Sequence, residues 1–313
     1  MADAASAPTA QAAFDTNAEH FHGLDCQRLR LPCGDTVLVA LQGAHVLSWV
    51  SQGRERLFLS ERNVWDGQSA IRGGVPVCFP QFNQRGDLPK HGFARNLIWQ
   101  CVTRQEQDHN VAAHNASAAN SASEKNGSPS THPHLDFVLQ TGPATLAFWP
   151  QHFVATLRVS LQPQQLHIAL YVHNTDTQPL FFTGALHTYL AVNQIAEAQL
   201  TGLQGQAEWN AVTDEHGQAT EVLRFEGEFD RVYQAAPHAL SLEEGEQRLR
   251  IEQSPSWGQS VVWNPGAQKC GSLPDMTPQA YQRMLCVEAA QVYEPIRVPA
   301  QGQWLGWQRL SLV

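Results

Sequence analysis

Residues 70–95, AIRGGVPVCFPQFNQRGDLPKHGFAR, gather Arg72, Arg85, Arg95, Lys90 and His91 around the pair Gly73-Gly74 and a further glycine, Gly92. Guanidinium and ammonium groups at this density can make charge-assisted hydrogen bonds to an anion. Glycines let the backbone come close to a ligand. The chain as a whole is acidic, with a formal net charge of -9 over 313 residues. A local cation cluster in an acidic chain points to a small anionic ligand. It argues against broad binding of nucleic acid or of an anionic membrane.

Two polar residues stand inside apolar runs. His187 lies in Phe181-Phe-Thr-Gly-Ala-Leu-His-Thr-Tyr-Leu190, and Glu288 in Cys286-Val-Glu-Ala-Ala290. From spacing alone a satisfied core histidine and a structural salt bridge account for them. The alternative is an acid–base pair in a half-buried cleft, where burial without a partner shifts proton affinity. Asp230, in Phe229-Asp-Arg-Val-Tyr233, either pairs with its neighbours at a strand edge or joins the same cleft. Most of the fourteen histidines have ordinary readings. The pairs His20/His22 and His132/His134 lack a third ligand at metal-binding spacing, so no metal and no cofactor are expected. Walker, dinucleotide-binding, Gly-x-Ser-x-Gly and His-Glu-x-x-His motifs are absent.

The elements that must hold these groups have a period of two. Phe153, Ala155, Leu157, Val159 and Leu161 fall on one face of a strand. Pro163-Gln164-Gln165 turns the chain, and Leu166, Ile168, Leu170 and Val172 continue the pattern. Similar runs are expected as strands at 35–41, 44–50, 97–102, 180–190, 248–253, 260–264 and 304–313, with one short helix near 277–283. Eighteen prolines and 22 glycines punctuate them. The pattern predicts an all-β protein, and the length favours a large antiparallel sandwich.

Residues 1–17 read as a flexible tail and 18–313 as one domain. Residues 105–133, rich in Ala, Ser and Asn, read as a disordered surface insertion. The six cysteines are scattered without Cys-x-x-Cys spacing and are expected free and mostly buried. With no secretory or membrane-spanning signal, a soluble, cytoplasmic monomer is expected, with no nucleic-acid or membrane partner.

Several segments, taken in order, resemble the aldose 1-epimerase superfamily and, within it, the glucose-6-phosphate 1-epimerase (hexose-6-phosphate mutarotase) family. They are Gly43-Ala-His-Val-Leu-Ser-Trp49, Ile71-Arg-Gly-Gly-Val-Pro76 with Phe79-Pro80, His91-Gly-Phe-Ala-Arg95, Leu186-His-Thr-Tyr189, Phe229-Asp-Arg-Val-Tyr233, Val262-Trp-Asn-Pro265 and Val287-Glu288. The resemblance implies a galactose-mutarotase-like fold, a large antiparallel β-supersandwich with a sugar cleft on one concave sheet. It makes His187 and Glu288 the catalytic histidine and glutamate, and Arg72 and Arg95 the phosphate-contacting arginines. His91 and Asp230 correspond to further positions lining the sugar site. Lys90 stands where relatives often carry glutamine, which adds charge there, and Ala289-Ala290 replaces a Pro-Gly-like sequence.

The implied reaction interconverts the α and β anomers of a hexose 6-phosphate, glucose 6-phosphate first. Glu288 takes the proton from O1 and His187 protonates O5, from opposite sides of C1; the opened sugar rotates about C1–C2 and closes again. The alternatives are an epimerase for unphosphorylated aldoses and a non-catalytic carbohydrate-binding protein of the same fold. A glycosidase using Glu288 and Asp230 would leave the arginines without a role.

Overall fold

A computed structural model describes residues 14–102 and 132–313. Within them the strands run β1 (Asp15–Phe21), β2 (Leu24–Arg30), β3 (Thr36–Ala40), β4 (His45–Ser51), β5 (Arg54–Glu55), β6 (Val77–Cys78), β7 (Gln100–Val102), β8 (His134–Gln140), β9 (Phe153–Gln162), β10 (Gln165–Asn174) and β11 (Leu180–Leu186). They continue as β12 (Tyr189–Ala191), β13 (Gln199–Thr201), β14 (Ala207–Asn210), β15 (Glu215–Gln218), β16 (Phe229–Gln234), β17 (Leu240–Glu244), β18 (Gln247–Gln253), β19 (Gln259–Asn264), β20 (Met284–Val298) and β21 (Gln303–Leu312). One eight-stranded sheet has the order β13-β17-β18-β21-β10-β9-β8-β7. A second sheet runs β15-β14-β16-β19-β20-β11-β6 with β12 beside β20, and β1 to β5 form a third in sequence order. The named strand pairs are antiparallel, so the expected antiparallel all-β architecture is the one observed.

The alternation read from the sequence decides where the core lies. Phe153, Ala155, Leu157, Val159 and Leu161 are buried, as are Leu166, Ile168, Leu170 and Val172. They belong to one apolar cluster with Phe182, Leu285, Val287 and Ala289 of the second sheet. Full burial of each of the larger side chains among them is worth about 1.5–3 kcal/mol. The β9–β10 turn is tighter than expected: Gln162 pairs with Gln165, leaving Pro163 and Gln164 as the turn residues. Gln164 takes φ 62°, as the second central residue of a turn opened by proline can.

Four boundaries differ from the sequence reading. Residues 15–17 of the expected tail already pair in β1 with Leu29 and its neighbours; the rest of the tail through residue 13 lies outside the described residues. So does most of the expected insertion, although His132 and Pro133 are described and Pro133 O accepts a hydrogen bond from Leu161 N–H. The expected strand 180–190 breaks into β11 and β12 because His187 N–H turns to Pro76 O. The expected helix near 277–283 is a 3-10 turn over Ala280–Arg283, while an unexpected helix, α1 here (Gly266–Ser272), follows β19. The expected free cysteines are free: Cys26, Cys78, Cys270 and Cys286 are buried.

The cation-rich segment threads between sheets, and its glycines are fixed by contact. Gly74, at φ 61°, would place a Cβ 2.2 Å from Val46 O. Gly92, at φ 71°, would place one 2.1 Å from Phe79 O. Both positions therefore require glycine on conformational and steric grounds together. We expect Gly92→Ala to destabilise the protein by about 2–4 kcal/mol, read as a lowered urea midpoint. An unchanged midpoint would show that the backbone around Phe79 yields freely.

Candidate active site

Sheet register places the polar residues. On β20, Leu285, Val287 and Ala289 face the core between the sheets, so Cys286, Glu288 and Ala290 face the other way. Asp230 of β16 pairs with Trp263 of β19, Trp263 with Cys286, and Cys286 with Tyr189 of β12. Two residues along, Val232 pairs with Val261, and Val261 with Glu288. The last paired position of β11, Leu186 with Ala289, puts the next residue, His187, opposite Glu288. One face of the second sheet thus carries Asp230, Trp263, Cys286, Tyr189, Glu288 and His187 in adjoining rows.

His187 and Glu288 are both buried, at 7% and 1% exposure. His187 Nδ1 lies 3.2 Å from Glu288 Oε1. The contact is not aligned as a hydrogen bond: His187 Nδ1 and Glu288 Oε2 are buried without one. Burial raises the Glu288 pKa well above the usual carboxylate range, and the charge of Asp230 adds to the rise. Burial lowers His187 well below the usual imidazole range, followed by His91, Arg72 and Arg95. Both shifts favour uncharged groups, so the pair favours one proton between them and no net charge. The two groups converge on one side instead of facing each other across a sugar. That suits a hemiacetal, because O1 and O5 are bonded to the same carbon and lie closer together than a hydrogen bond is long.

Tyr189 stacks on His187 with ring centroids 4.7 Å apart and planes 8° apart. Its hydroxyl accepts a hydrogen bond from Arg72 Nη1 at 3.0 Å. His91 meets the edge of His187 at 5.3 Å. His91 Nδ1 accepts the Asn83 N–H at 3.2 Å, which leaves its proton on Nε2. Burial, then Arg95, Lys90 and Arg72, push the His91 pKa down to about 2. The residue sits at φ 67°, an uncommon conformation for a side-chain-bearing residue. His45, fully buried, donates from Nε2 to Gly73 O at 2.7 Å and so fixes the turn that delivers Arg72.

The cations are not equivalent. Arg72 donates from Nε to Asp275 Oδ2 at 3.0 Å and pairs with it again through Nη2 at 2.9 Å. Arg95 donates from Nη2 to Lys90 O at 2.8 Å, while its buried Nε has no hydrogen-bond partner. Partial desolvation, then Arg72, Arg95 and Lys269, lower the pKa of Lys90. Asp230 is raised, first by burial, against the opposing charges of Lys269 and Lys90. Arg85 departs from the cluster the sequence suggested. Its guanidinium lies 4.8 Å from the Trp209 ring centroid and 5.5 Å from that of Tyr293, where cation–π attraction holds it.

The structure therefore brings His187, Glu288, His91, Arg72, Arg95, Lys90 and Asp230 into one electrostatic neighbourhood. The sequence reading missed Tyr189 as a packing partner, Asp275 as the counter-ion of Arg72, and Lys269 of α1, which pairs with Glu228. Asp275 and Lys269 lie in loop and helix sequence without apolar period, so nothing local marked them. Tyr189 was legible as the residue two after His187 in an extended run. From the spacing of the histidine pairs no metal is expected. Among the described residues the structure does assemble one group with ligand geometry, His187, Cys286 and Glu288, whose donor atoms lie within 4.8 Å of one another.

Comparison with known proteins gives concordant results. The family model described as aldose 1-epimerase matches residues 25–311. A Cenchrus ciliaris protein provisionally named as a glucose-6-phosphate 1-epimerase is 32% identical over 282 residues, 88% of this chain and 80% of that protein. A crystal structure of a provisionally named mutarotase from Salmonella typhimurium superposes with a TM-score of 0.79 at 27% identity, covering 95% of this chain and 93% of that one. A galactose mutarotase related enzyme from Lactobacillus acidophilus, at 11% identity, shares the fold, with a TM-score of 0.65 over 96% of this chain and 97% of that one.

Proposed function

Because this chain belongs to the aldose 1-epimerase family, we propose that it interconverts the α and β anomers of a hexose 6-phosphate, glucose 6-phosphate first, by acid–base ring opening. The observation that carries this reading is the buried His187–Glu288 contact of 3.2 Å beside the cations Arg72, Lys90 and Arg95. A module that only bound sugar would gain nothing from burying a carboxyl and an imidazole without aligned partners, which is costly.

In the proposed mechanism the pair works with its single proton. Burial favours that proton on Glu288 in the empty site. A small rotation lets it cross to His187, giving the carboxylate and imidazolium that act. Glu288 then takes the proton from O1 while His187 protonates O5, and the C1–O5 bond breaks to leave the open-chain aldehyde. After rotation about C1–C2, His187 takes the proton back from O5 as O5 attacks C1, and Glu288 returns its own to O1. Each oxygen keeps its partner, and the enzyme ends as it began. His91, held neutral with its proton on Nε2, is suited to donate a hydrogen bond to a sugar hydroxyl, and Asp230 to accept one. Arg95, with its unpartnered Nε, and Lys90 would hold the phosphate, which fixes the ring against the pair. A single cytoplasmic chain acting alone is part of the same proposal.

One observation favours an unphosphorylated aldose instead: Asp275 already neutralises Arg72. Anomer exchange followed by magnetisation-transfer NMR on glucose and on glucose 6-phosphate separates the two readings. Arg95→Ala should cost about 1.5–3 kcal/mol, or roughly ten- to a hundred-fold, in kcat/KM for glucose 6-phosphate and little for glucose. Arg72→Ala, which also frees Asp275 and Tyr189, should lower turnover of both sugars and of the phosphate ester more. Equal losses on both sugars from Arg95→Ala would favour the unphosphorylated substrate.

The catalytic assignment is tested separately. His187→Asn and Glu288→Gln should each lose about a hundred- to ten-thousand-fold in anomer exchange while keeping the far-ultraviolet circular dichroism of the parent. A variant that exchanges anomers at the parent rate removes that residue from the mechanism.

A further inference from the structure

Cys286 is a buried nucleophilic group beside the acid–base pair that the proposed reaction leaves idle. We propose that His187, Cys286 and Glu288 form a binding site for a soft divalent cation, zinc by its chemistry, and that filling it switches the enzyme off. The switching half rests on the acid–base reading of His187 and Glu288; the binding half does not.

One imidazole nitrogen, one sulfur and one carboxylate oxygen lie within 4.8 Å of one another, all on buried residues. Cys286 and Glu288 stand two apart on β20, so the strand points both to one face, and His187 comes from the facing turn. His187 Nδ1 and Glu288 Oε2 are buried without hydrogen-bond partners. That is an unusual cost for a folded protein, and an ion held by Nδ1 would remove the imidazole's share of it. Three protein donors with a fourth position left for water make the donor count of a tetrahedral zinc site, with bonds of about 2.0–2.3 Å. The thiol and the imidazole select against magnesium and calcium, which take oxygen ligands. His187 Nδ1 and Glu288 Oε1, at 3.2 Å, already have the spacing of two ligands on one ion, so the movement required falls to the cysteine side chain.

The charges balance. Binding releases one proton from the Cys286 thiol and one from Glu288 to solvent. The dication then meets two anions and a neutral imidazole, so the buried net charge stays at zero. Arg72, beside the site, is neutralised by Asp275. Arg95 and Lys90 oppose a cation, so the site should bind more weakly than a structural zinc site, as suits reversible inhibition. While the ion is bound, the pair holds no proton to move, and anomer exchange stops.

The test uses the full chain carrying Cys33→Ser, which removes an exposed thiol, after dialysis against a strong chelator. Titration with cobalt(II) should give a thiolate-to-cobalt charge-transfer band in the near ultraviolet at one ion per chain, and zinc should displace it. Cys286→Ala and Cys286→Ser should lose the band and exchange anomers at the parent rate in the stripped state. Zinc should abolish exchange in the parent and leave both cysteine variants active. No cobalt band in the parent, the same band in both variants, or a zinc-filled parent that still exchanges anomers would each overturn the proposal. A parent that binds cobalt through Cys286 but never exchanges anomers, stripped or loaded, would overturn the switching half together with the acid–base reading and leave the binding half standing.

Discussion

A carboxyl and an imidazole buried 3.2 Å apart can hold one proton at modest cost, but two or none only with a net charge left in a poorly solvated place. Much of the surrounding structure serves this constraint. Burial alone pushes Glu288 up and His187 down, and the charged neighbours push in the same directions: Asp230 acts on the carboxyl, and Arg72 and Arg95 act on the imidazole. The positive charge that would bind a phosphate therefore also keeps His187 neutral. In this reading substrate recognition and proton bookkeeping are parts of one field.

The fold supplies the pair through a strand with two distinct faces. Leu285, Val287 and Ala289 anchor β20 in the core between the sheets, while Cys286 and Glu288 look out on the other face. The facing histidine comes from the break between β11 and β12, held by His187 N–H on Pro76 O and by Tyr189 N–H on Gly74 O. The same glycine segment carries Arg72, so the imidazole and the nearest guanidinium are positioned by one stretch of backbone. Thr188 Oγ1 donates to Gln308 Oε1 at 2.5 Å, and Gln308 Nε2 donates to Val287 O at 3.0 Å. These buried bonds tie the turn to both large sheets. A shift between the sheets would thus disturb the pair directly.

The parts legible in the sequence were those with a local signature. The alternation from Phe153 to Val172 fixed a hairpin and its buried face because period two leaves one choice of side. His187 and Glu288 stood out as polar residues inside apolar runs. The role of Arg85 was misread, since charge clustering along the chain says nothing about which cation finds aromatic rings; Trp209 and Tyr293 are far from it in sequence. Asp275 and Lys269 were silent for the same reason. Cys286 read as one more buried thiol, and only the pairing of β12 with β20 reveals it next to His187. Long-range register, not propensity, separates what was readable from what was not.

We expect the His187–Glu288 pair to hold one proton across neutral pH. Nitrogen-15 NMR of labelled histidine, assigned by comparison with His187→Asn, measures it directly. The His187 pKa is lowered from 6.5 by burial and cationic neighbours, so its imidazolium should form only at pH well below that value. Glu288 is raised from 4.5, so its carboxyl should stay protonated well above that value, visible as a carboxylic C=O stretch in the infrared that disappears in Glu288→Gln. The His187 resonance should stay in the neutral-imidazole range as the pH falls through 6.5. An imidazolium that titrates near pH 6.5 beside an ionised Glu288 would contradict it.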